Sequence, residues 1–452
     1  MKIIIAGDGK VGAMLTRQLS VEGNDLTLID NNGKVLESTE ERYDIMAVQG
    51  NCASMDVLCQ AGIEEADLLI AATGADEVNL LCAMTAHGLN SKLHTIARVR
   101  NPEYSKQIYQ MKEVFPLSLA VNPEKQTADE IERLLKFPGF LRRDTFAKGR
   151  VEIVELKVTE DSKLRGATLS TLDSITKAKV LIFAVLRKGK AITPDGNFEL
   201  QVGDRLFVTA SRNDLTVLLK DLGIITHRVK GVMICGGGTL CYYLAEKLLR
   251  SGISVKIIEQ DHNRCVRLAA LLPNANIVCG DASNGQLLDS EGIDNADAVI
   301  TMTGIDELNM FISLYASEIG VPQIVTKVGR RENHSMVDKL PLGSIVCPKE
   351  LCANNIVRYV RAMRNTEGAA ISVHTIADGQ AEAVEFMVDE KTLHIGEPLK
   401  RLRTKKDVLI ACITHRAETI LPTGDSTFEV GDTVIVVTTG DTIIYQLNDI
   451  FE

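Results

Sequence analysis

Two short strings in this 452-residue chain have the spacing of a phosphate cradle. The first, Gly7-Asp8-Gly9-Lys10-Val11-Gly12, directly follows the apolar run Ile3-Ile4-Ile5-Ala6 and opens a helical stretch from Ala13 to Val21. Gly7 permits a tight turn, Gly9 lets backbone approach a pyrophosphate, and Gly12 allows close packing of helix on strand. A helix start offers free N–H groups and a dipole that favours an anion. Asp30 ends the next apolar run, eighteen residues after Gly12, where a carboxylate can accept hydrogen bonds from both ribose hydroxyls and favours NAD(H) over NADP(H).

The second string, Gly236-Gly237-Gly238-Thr239-Leu240-Cys241, keeps the turn and the close approach but puts Cys241 where a third glycine belongs. That glycine serves packing more than ligand contact, so the site is expected to survive with a slightly displaced helix. The competing account is a second fold that is kept but empty. Glu259 ends the following strand and can take the ribose as Asp30 does.

These strings belong to a duplication. Ile3 to Gly9 superposes on Val232 to Gly238 at a displacement of 229 residues, and the same displacement carries Asp30 onto Glu259. After one inserted residue, Gly50-Asn51 falls on Gly280-Asp281, and Thr73-Gly74-Ala75-Asp76-Glu77-Val78-Asn79 on Thr303-Gly304-Ile305-Asp306-Glu307-Leu308-Asn309. Val202-Gly203-Asp204 pairs with Val430-Gly431-Asp432, so the repeat extends past the nucleotide folds.

The elements that must hold the loops follow from pattern. Apolar runs at Met1–Ile5, Asp25–Ile29, Leu68–Ala72 and Thr95–Val99 alternate with amphipathic stretches, which reads as βαβ units and a parallel sheet covered on both faces. Residues 1–122 and 229–347 are therefore assigned to two Rossmann-like, doubly wound α/β domains. Helical linkers are expected over 123–140 and 348–366, with the first helical pattern broken at Phe137-Pro138-Gly139. Residues 141–226 and 367–452, richer in strand signal, are assigned to two small α+β domains.

Open parallel sheets take ligands beyond the carboxyl ends of their strands. Asn51-Cys52 and Asp281-Ala282 follow the third strands, on the adenine side. Thr73-Gly74 and Thr303-Gly304 follow the fourth and can line ribose and phosphate, against an alternative of simple turn chemistry. Arg98 and Lys327 end the fifth strands and can meet an anion, unless they are solvated surface charges. Lys10 lies within the first loop, near phosphate; its counterpart, Thr239, carries no charge.

Composition limits the function. Sixty acidic against 50 basic residues, a net charge of −10, argue against a nucleic-acid partner. The ten cysteines include no Cys-x-x-Cys, and the eight histidines no His-Glu-x-x-His, so no metal site is expected. The start of the chain is too short of apolar residues for a signal-peptide core, and no run of about 18 apolar residues occurs, so a cytoplasmic protein is expected.

The glycine loops, the acidic strand ends, the two Thr-Gly-x-Asp-Glu-x-Asn segments and Ala97-Arg98-Val99-Arg100-Asn101-Pro102-Glu103-Tyr104 resemble the regulator-of-potassium-conductance family, RCK or KTN. In its tandem form, large–small–large–small, the family supplies the regulatory subunits of Trk-type potassium uptake systems. Leu164-x-Gly166, Leu393-x-x-Gly396 and the two Val-Gly-Asp strings are similar to its C-terminal domain. The resemblance implies a peripheral protein, a homotetrameric ring beneath a membrane potassium-translocating subunit, biased by NAD(H), ATP or ADP. It implies NAD contacts at Gly7 to Val11, Asp30, Asn51, Thr73-Gly74 and Arg98, and at Gly236 to Leu240, Glu259, Asp281-Ala282, Thr303-Gly304 and Lys327. Cys241, and Lys327-Val328-Gly329 in place of an Arg-rich strand end, depart from the pattern.

Two rivals remain. An NAD-dependent oxidoreductase needs a general acid or base facing the nicotinamide, and the obvious histidines, His227 and His374, do not occupy matching positions in the two halves. A redox-sensing transcription regulator needs a basic helix-turn-helix that the acidic chain does not offer.

Overall fold

A computed structural model describes residues 1–111, 116–136, 142–146, 151–223, 229–329, 340–364, 370–377, 380–415, 418–439, 444 and 446–452. Phe137-Pro138-Gly139 and His227 lie outside the described residues.

The first large sheet contains β1 (Lys2–Ala6), β2 (Asp25–Asp30), β3 (Met46–Gln49), β4 (Leu68–Ala71), β5 (His94–Arg98) and β6 (Leu119–Val121). All pairings are parallel, in the order β3-β2-β1-β4-β5-β6. This is the doubly wound dinucleotide-binding order, with its switch point between β1 and β4. Around it lie α1 (Gly12–Val21), α2 (Gly33–Glu40), α3 (Met55–Gln60), α4 (Asp76–Leu89), α5 (Pro102–Gln110) and α6 (Pro123–Lys136). Ile3, Ile4 and Ile5 are all buried because helices cover both faces of the sheet, which is why the strand reads as an unbroken apolar run.

An antiparallel sheet follows: β7 (Arg142–Phe146), β8 (Val151–Lys157), β9 (Val180–Arg187), β10 (Lys190–Ile192) and β11 (Arg205–Ser211), in the order β10-β9-β11-β8-β7, with α7 (Arg212–Asp221). Lys188 and Gly189, at φ 52° and 77°, make the tight turn from β9 to β10.

The second half repeats the plan. Its large sheet holds β12 (Gly231–Cys235), β13 (Ser254–Glu259), β14 (Asn276–Cys279), β15 (Ala298–Thr301), β16 (Gln323–Lys327) and β17 (Ser344–Val346), in the order β14-β13-β12-β15-β16-β17. Helices α8 (Thr239–Arg250), α9 (His262–Leu271), α10 (Gly285–Ser290), α11 (Asp306–Glu318) and α12 (Pro348–Arg364) accompany it. The chain closes on β18 (Ala370–Ile376), β19 (Ala381–Met387), β20 (Val408–His415), β21 (Glu418–Ile420) and β22 (Thr433–Thr439), in the order β18-β19-β22-β20-β21. The architecture is α/β: two Rossmann-like domains, each followed by a small α+β domain.

The halves exchange helices. Ala128, Ile131, Leu134 and Leu135 of α6 join the core of the second large sheet, beside Ile234, Leu244 and Val255. Cys352, Ala353, Ile356 and Val360 of α12 join the core of the first, beside Ile5, Leu15 and Leu28. Polar contacts fix the swap: Gln323 Nε2 donates to Leu134 O at 2.7 Å, and Arg361 Nε to Glu22 Oε1 at 2.9 Å. Each buried Leu or Ile contributes about 1.5–3 kcal/mol, so neither large domain keeps its stability without the other's helix. The small sheets also pack on each other, with Phe183, Phe207, Ala411 and Ile435 in one cluster. Thr193 Oγ1 and Thr439 Oγ1 lie 2.8 Å apart across that interface.

Candidate functional site: two glycine loops facing opposite halves

Gly7 turns at φ +101°, and its N–H donates to Ile29 O at 2.7 Å. A Cβ on Gly7 would stand 2.9 Å from the Thr73 backbone, and one on Gly12 only 1.8 Å from Gly7 O, so neither position admits a side chain. Gly9 has open space around it, with Lys10 exposed beside it and Val11 buried beneath. Gly236 repeats the turn at φ +108°, its N–H donating to Ile258 O at 2.9 Å. The two loops then diverge. Helix α8 begins at Thr239, two aligned residues before the start of α1, and Cys241 is fully buried in the core shared with α6. Burial pushes its thiol well up from the ordinary cysteine range.

Each strand-end carboxylate holds its own loop. Asp30 Oδ2 accepts from Asp8 N at 2.7 Å and Oδ1 from Asn32 N at 2.9 Å. Glu259 Oε2 accepts from Gly237 N at 2.6 Å and Oε1 from Asp261 N at 2.8 Å. Ionised carboxylate oxygens have capacity for a second donor each, but access differs. Asp30 is half-buried, whereas Glu259 is buried with the Arg264 guanidinium 3.6 Å away. This clamping role is not readable from spacing. Nor is the fate of Asp8, whose side chain turns inward and accepts from Thr39 Oγ1 at 2.5 Å, leaving Oδ1 buried without a partner. Burial raises its carboxyl above the ordinary value; the Thr39 hydroxyl opposes the shift and Asp30 adds to it. In the second loop a Cβ on Gly237 would meet Leu268 Cδ1 at 2.7 Å and Glu259 Cβ at 3.0 Å, so a side chain there requires those two side chains to shift.

Beyond the third strands, Asn51 Oδ1 accepts from Ala53 N at 3.1 Å and Asp281 Oδ1 from Ser283 N at 2.8 Å, both on exposed turns. The Ser283 N–H holds the Asp281 carboxyl below its usual value. Cys52 and Ala282 are buried behind them. The Thr-Gly-x-Asp-Glu-x-Asn segments form a brace. Thr73 Oγ1 donates to Asn79 Oδ1 at 2.6 Å, and Asn79 Nδ2 donates to Arg98 O at 2.9 Å. Thr303, Asn309 and Lys327 repeat this at 2.8 and 3.0 Å. The threonine hydroxyls are thus committed inward, as turn chemistry would have them, while Gly74 and Gly304 face open space. Asn79 and Asn309, fully buried, are residues whose importance the sequence reading missed. Asp76 Oδ2 accepts from Arg100 N and Asn101 N, each at 2.7 Å, and Asp306 Oδ2 from Gly329 N at 2.7 Å.

The basic strand ends are not free surface charges. Arg98 is half-buried, with a buried Nε that lacks a partner; burial, then the neighbouring Arg100, lowers its pKa. Lys327 Nζ donates to Thr303 O at 2.6 Å, and burial lowers its pKa also.

Tertiary packing sets the second glycine loop, and Lys10 of the first, against the other half. Lys10 of the first loop lines a cleft of about 520 Å³ with Gly304, Asp306, Lys327 and Lys349 of the second half. Gly237, Gly238 and Thr239 line another of about 420 Å³ with Tyr242, Arg264, Arg267 and, from the first half, Asn101 to Glu103. Each cleft offers cations: Lys10, Lys327 and Lys349 in one, Arg264 and Arg267 in the other. Arg264 and Arg267, one turn apart just after Glu259, carried a spacing signal that could have flagged them. Across the two halves, Asn122 Nδ2 donates to Tyr243 Oη at 3.0 Å, and Tyr243 Oη donates to Arg100 O at 3.0 Å. Among the described residues no cluster of three or more His, Cys, Asp or Glu could hold a metal, and no helix is long and apolar enough to cross a membrane.

Known proteins agree with this plan. The TrkA-N domain model matches residues 3–116 and 232–348, and the TrkA-C domain model residues 153–223 and 383–450. The chain is similar to the Trk system potassium uptake protein TrkA homolog of Archaeoglobus fulgidus, 34% identical over 452 residues and covering 100% of each. Its fold is similar to that of the GsuK RCK domain, at 19% identity and TM-score 0.63, covering 97% of this chain and 92% of that one. The GsuK channel bound to NAD is similar at 19% identity and TM-score 0.62, covering 97% and 76%. Matched in both halves by both domain models, and aligned end to end with such a relative, the chain belongs to the TrkA family of potassium uptake proteins.

Proposed function

We propose that this chain is a cytoplasmic, non-enzymatic regulatory subunit that binds NAD(H) or an adenine nucleotide and thereby gates a Trk-type membrane potassium-translocating subunit, working as a homotetrameric ring. The observation that carries this reading is the second glycine loop, Gly237 to Thr239, in a cleft shared with Asn101 to Glu103 of the first half, with Lys10 of the first loop reaching the strand ends of the second half. Gly7 to Gly12 would cradle phosphate in the first fold, Asp30 and Asn51 would meet the adenosine end, and Arg98 would face the anion. Gly236 to Leu240, Glu259 and Asp281 would do the same in the second, while Lys327 lies with Lys10 in the other cleft. The NAD-bound state of the GsuK channel, a protein of the same fold, supports the choice of cofactor.

A nucleotide held at such a seam touches both large domains, and its affinity therefore depends on how they sit together. A ligand shifts an equilibrium only by its differential affinity for the two states. Moving a ring from 1:99 to 99:1 takes about 5.5 kcal/mol, which several sites can share at about 1–3 kcal/mol each. The exchanged helices make the coupling mechanical: α6 is fixed to the second fold and α12 to the first, so neither domain reorients without carrying the other's helix.

The test is calorimetric titration of the purified chain with NADH, NAD, ATP and ADP, repeated on Asp30→Ala and Glu259→Ala. Loss of at least one binding event in one variant is expected. Unchanged NADH affinity in both would overturn the assignment. Steady NADH consumption with 2-hydroxy or amino acids would favour the oxidoreductase instead.

A further inference from the structure

Next to the second glycine loop stand two thiols that the first half lacks. Cys265 and Cys279 occupy the positions of Leu36 and Gln49. Cys265 lies in the first turn of α9, buried, its sulfur 3.2 Å from Glu259 O, a carbonyl that also accepts from Gly280 N at 2.9 Å. Cys279 ends β14 in register with Glu259 and is exposed. Its sulfur is 4.0 Å from Gln260 O and 4.0 Å from His262 Nδ1. The thiols therefore share one turn, Glu259-Gln260; burial, then the neighbouring Cys279, pushes the Cys265 thiol up to about 11.

We propose that Cys265 and Cys279 form a reversible dithiol–disulfide pair, a modification site confined to the second half and oxidised by hydroperoxides. Cys279, open to solvent beside an imidazole, is the attacking group, and Cys265, buried behind it, is the resolving one. The Cys279 thiolate attacks a peroxide oxygen, the O–O bond breaks, and the departing hydroxide takes up the proton that the thiol had released, giving sulfenic acid and water. The Cys265 sulfur then displaces hydroxide from the sulfenic sulfur, and that hydroxide leaves as water with the Cys265 proton. Two thiols lose two electrons and two protons, and hydrogen peroxide becomes two waters. The new bond ties the first turn of α9 to the end of β14. Because Leu268 of the same helix fills the space against Gly237, the link would restrain the second loop and leave the first untouched. The first fold's own neighbouring thiols, Cys52 and Cys82, are buried at 5% and 0% exposure, out of an oxidant's reach.

The test uses the reduced full-length chain treated with equimolar hydrogen peroxide, quenched with N-ethylmaleimide and mapped by peptide mass. The expected dominant product joins the Cys265 and Cys279 peptides, lighter by two hydrogens and reversed by dithiothreitol, with exposed Cys59 recovered as its maleimide adduct. Cys265→Ser should leave a dimedone-reactive sulfenic acid on Cys279 with no link. Cys279→Ser, an exposed change that should not alter thermal melting, should return Cys265 as a free thiol. Cys279 labelling as completely as Cys59 after peroxide, or linking to any other cysteine, would overturn the proposal.

Discussion

The two large domains have the same strand order and the same turn at Gly7 and Gly236, yet beyond that turn the closest approach to a glycine falls at different places in their loops. In the first, Gly12 cannot carry a Cβ because the Gly7 carbonyl is 1.8 Å from where it would stand, while the position after Gly7 holds Asp8, tied to Thr39. In the second, Cys241 fits beneath an earlier-starting helix, while at Gly237, after Gly236, a Cβ would press on the Leu268 and Glu259 side chains at 2.7 and 3.0 Å. What a glycine motif encodes is a set of close approaches. When neighbouring side chains change, the place where a methyl group is forbidden moves with them. The exchange of α6 and α12 adds a second contrast, for each domain's stability resides partly in the other half's sequence.

The largest effect should come from breaking that exchange. Ile356→Ala removes a fully buried side chain from the first domain's core, although it lies in the second half of the chain, and should cost about 2–5 kcal/mol. Hydrogen exchange should then show faster opening of β1 and β2; with Ile131→Ala the loosened strands should be β12 and β13. Loosening confined to the half that carries the mutation would contradict the swap. Next comes Gly12→Ala, expected to destabilise by about 1–3 kcal/mol because backbone has to move. Cys241→Ala at the aligned position should cost only on the order of 1 kcal/mol for the lost buried volume. Equal shifts in melting temperature would erase the proposed difference between the loops.

The smallest effect concerns Asp8, which has no counterpart in the second loop. Its carboxyl is raised in the folded chain above the ordinary aspartate value of 3.8, so the folded state holds the proton at higher pH than the unfolded one. Its burden on stability is therefore present above the folded pKa, is relieved as pH falls through it, and stops changing below the unfolded value. Asp8→Asn should melt higher than the parent near neutral pH, and the gap should close on acidification. A gap independent of pH would mean that Asp8 is not the titrating group.

Much of this was legible in the residues. Ile3-Ile4-Ile5 and Val232 to Cys235 announced strands buried on both faces, the repeats announced two equivalent folds, and the glycines announced positive φ at Gly7 and Gly236. Less legible were roles that depend on what lies across a gap. Asp30 and Glu259 had the spacing of ribose acceptors, but their clamping of Asp8 N and Gly237 N follows from a loop that curls back over the strand end. Thr73 and Thr303 offered hydroxyls that only the position of Asn79 and Asn309 commits inward. Arg264, Arg267 and Lys349 enter the clefts from elements whose neighbours pattern alone does not name.

From residue order alone come the strands, the helices, the glycine turns and the duplication, because each depends on local backbone geometry and on a periodicity of two or 3.6 residues. Tertiary packing alone decided which sheet each crossing helix covers and which half each loop faces. The apolar stripe on α6 is as compatible with one sheet as with the other, since hydrophobic attraction has no direction. The choice rests on shape, on contacts such as Gln323 to the Leu134 carbonyl, and on Arg361 to Glu22, between groups far apart in the chain.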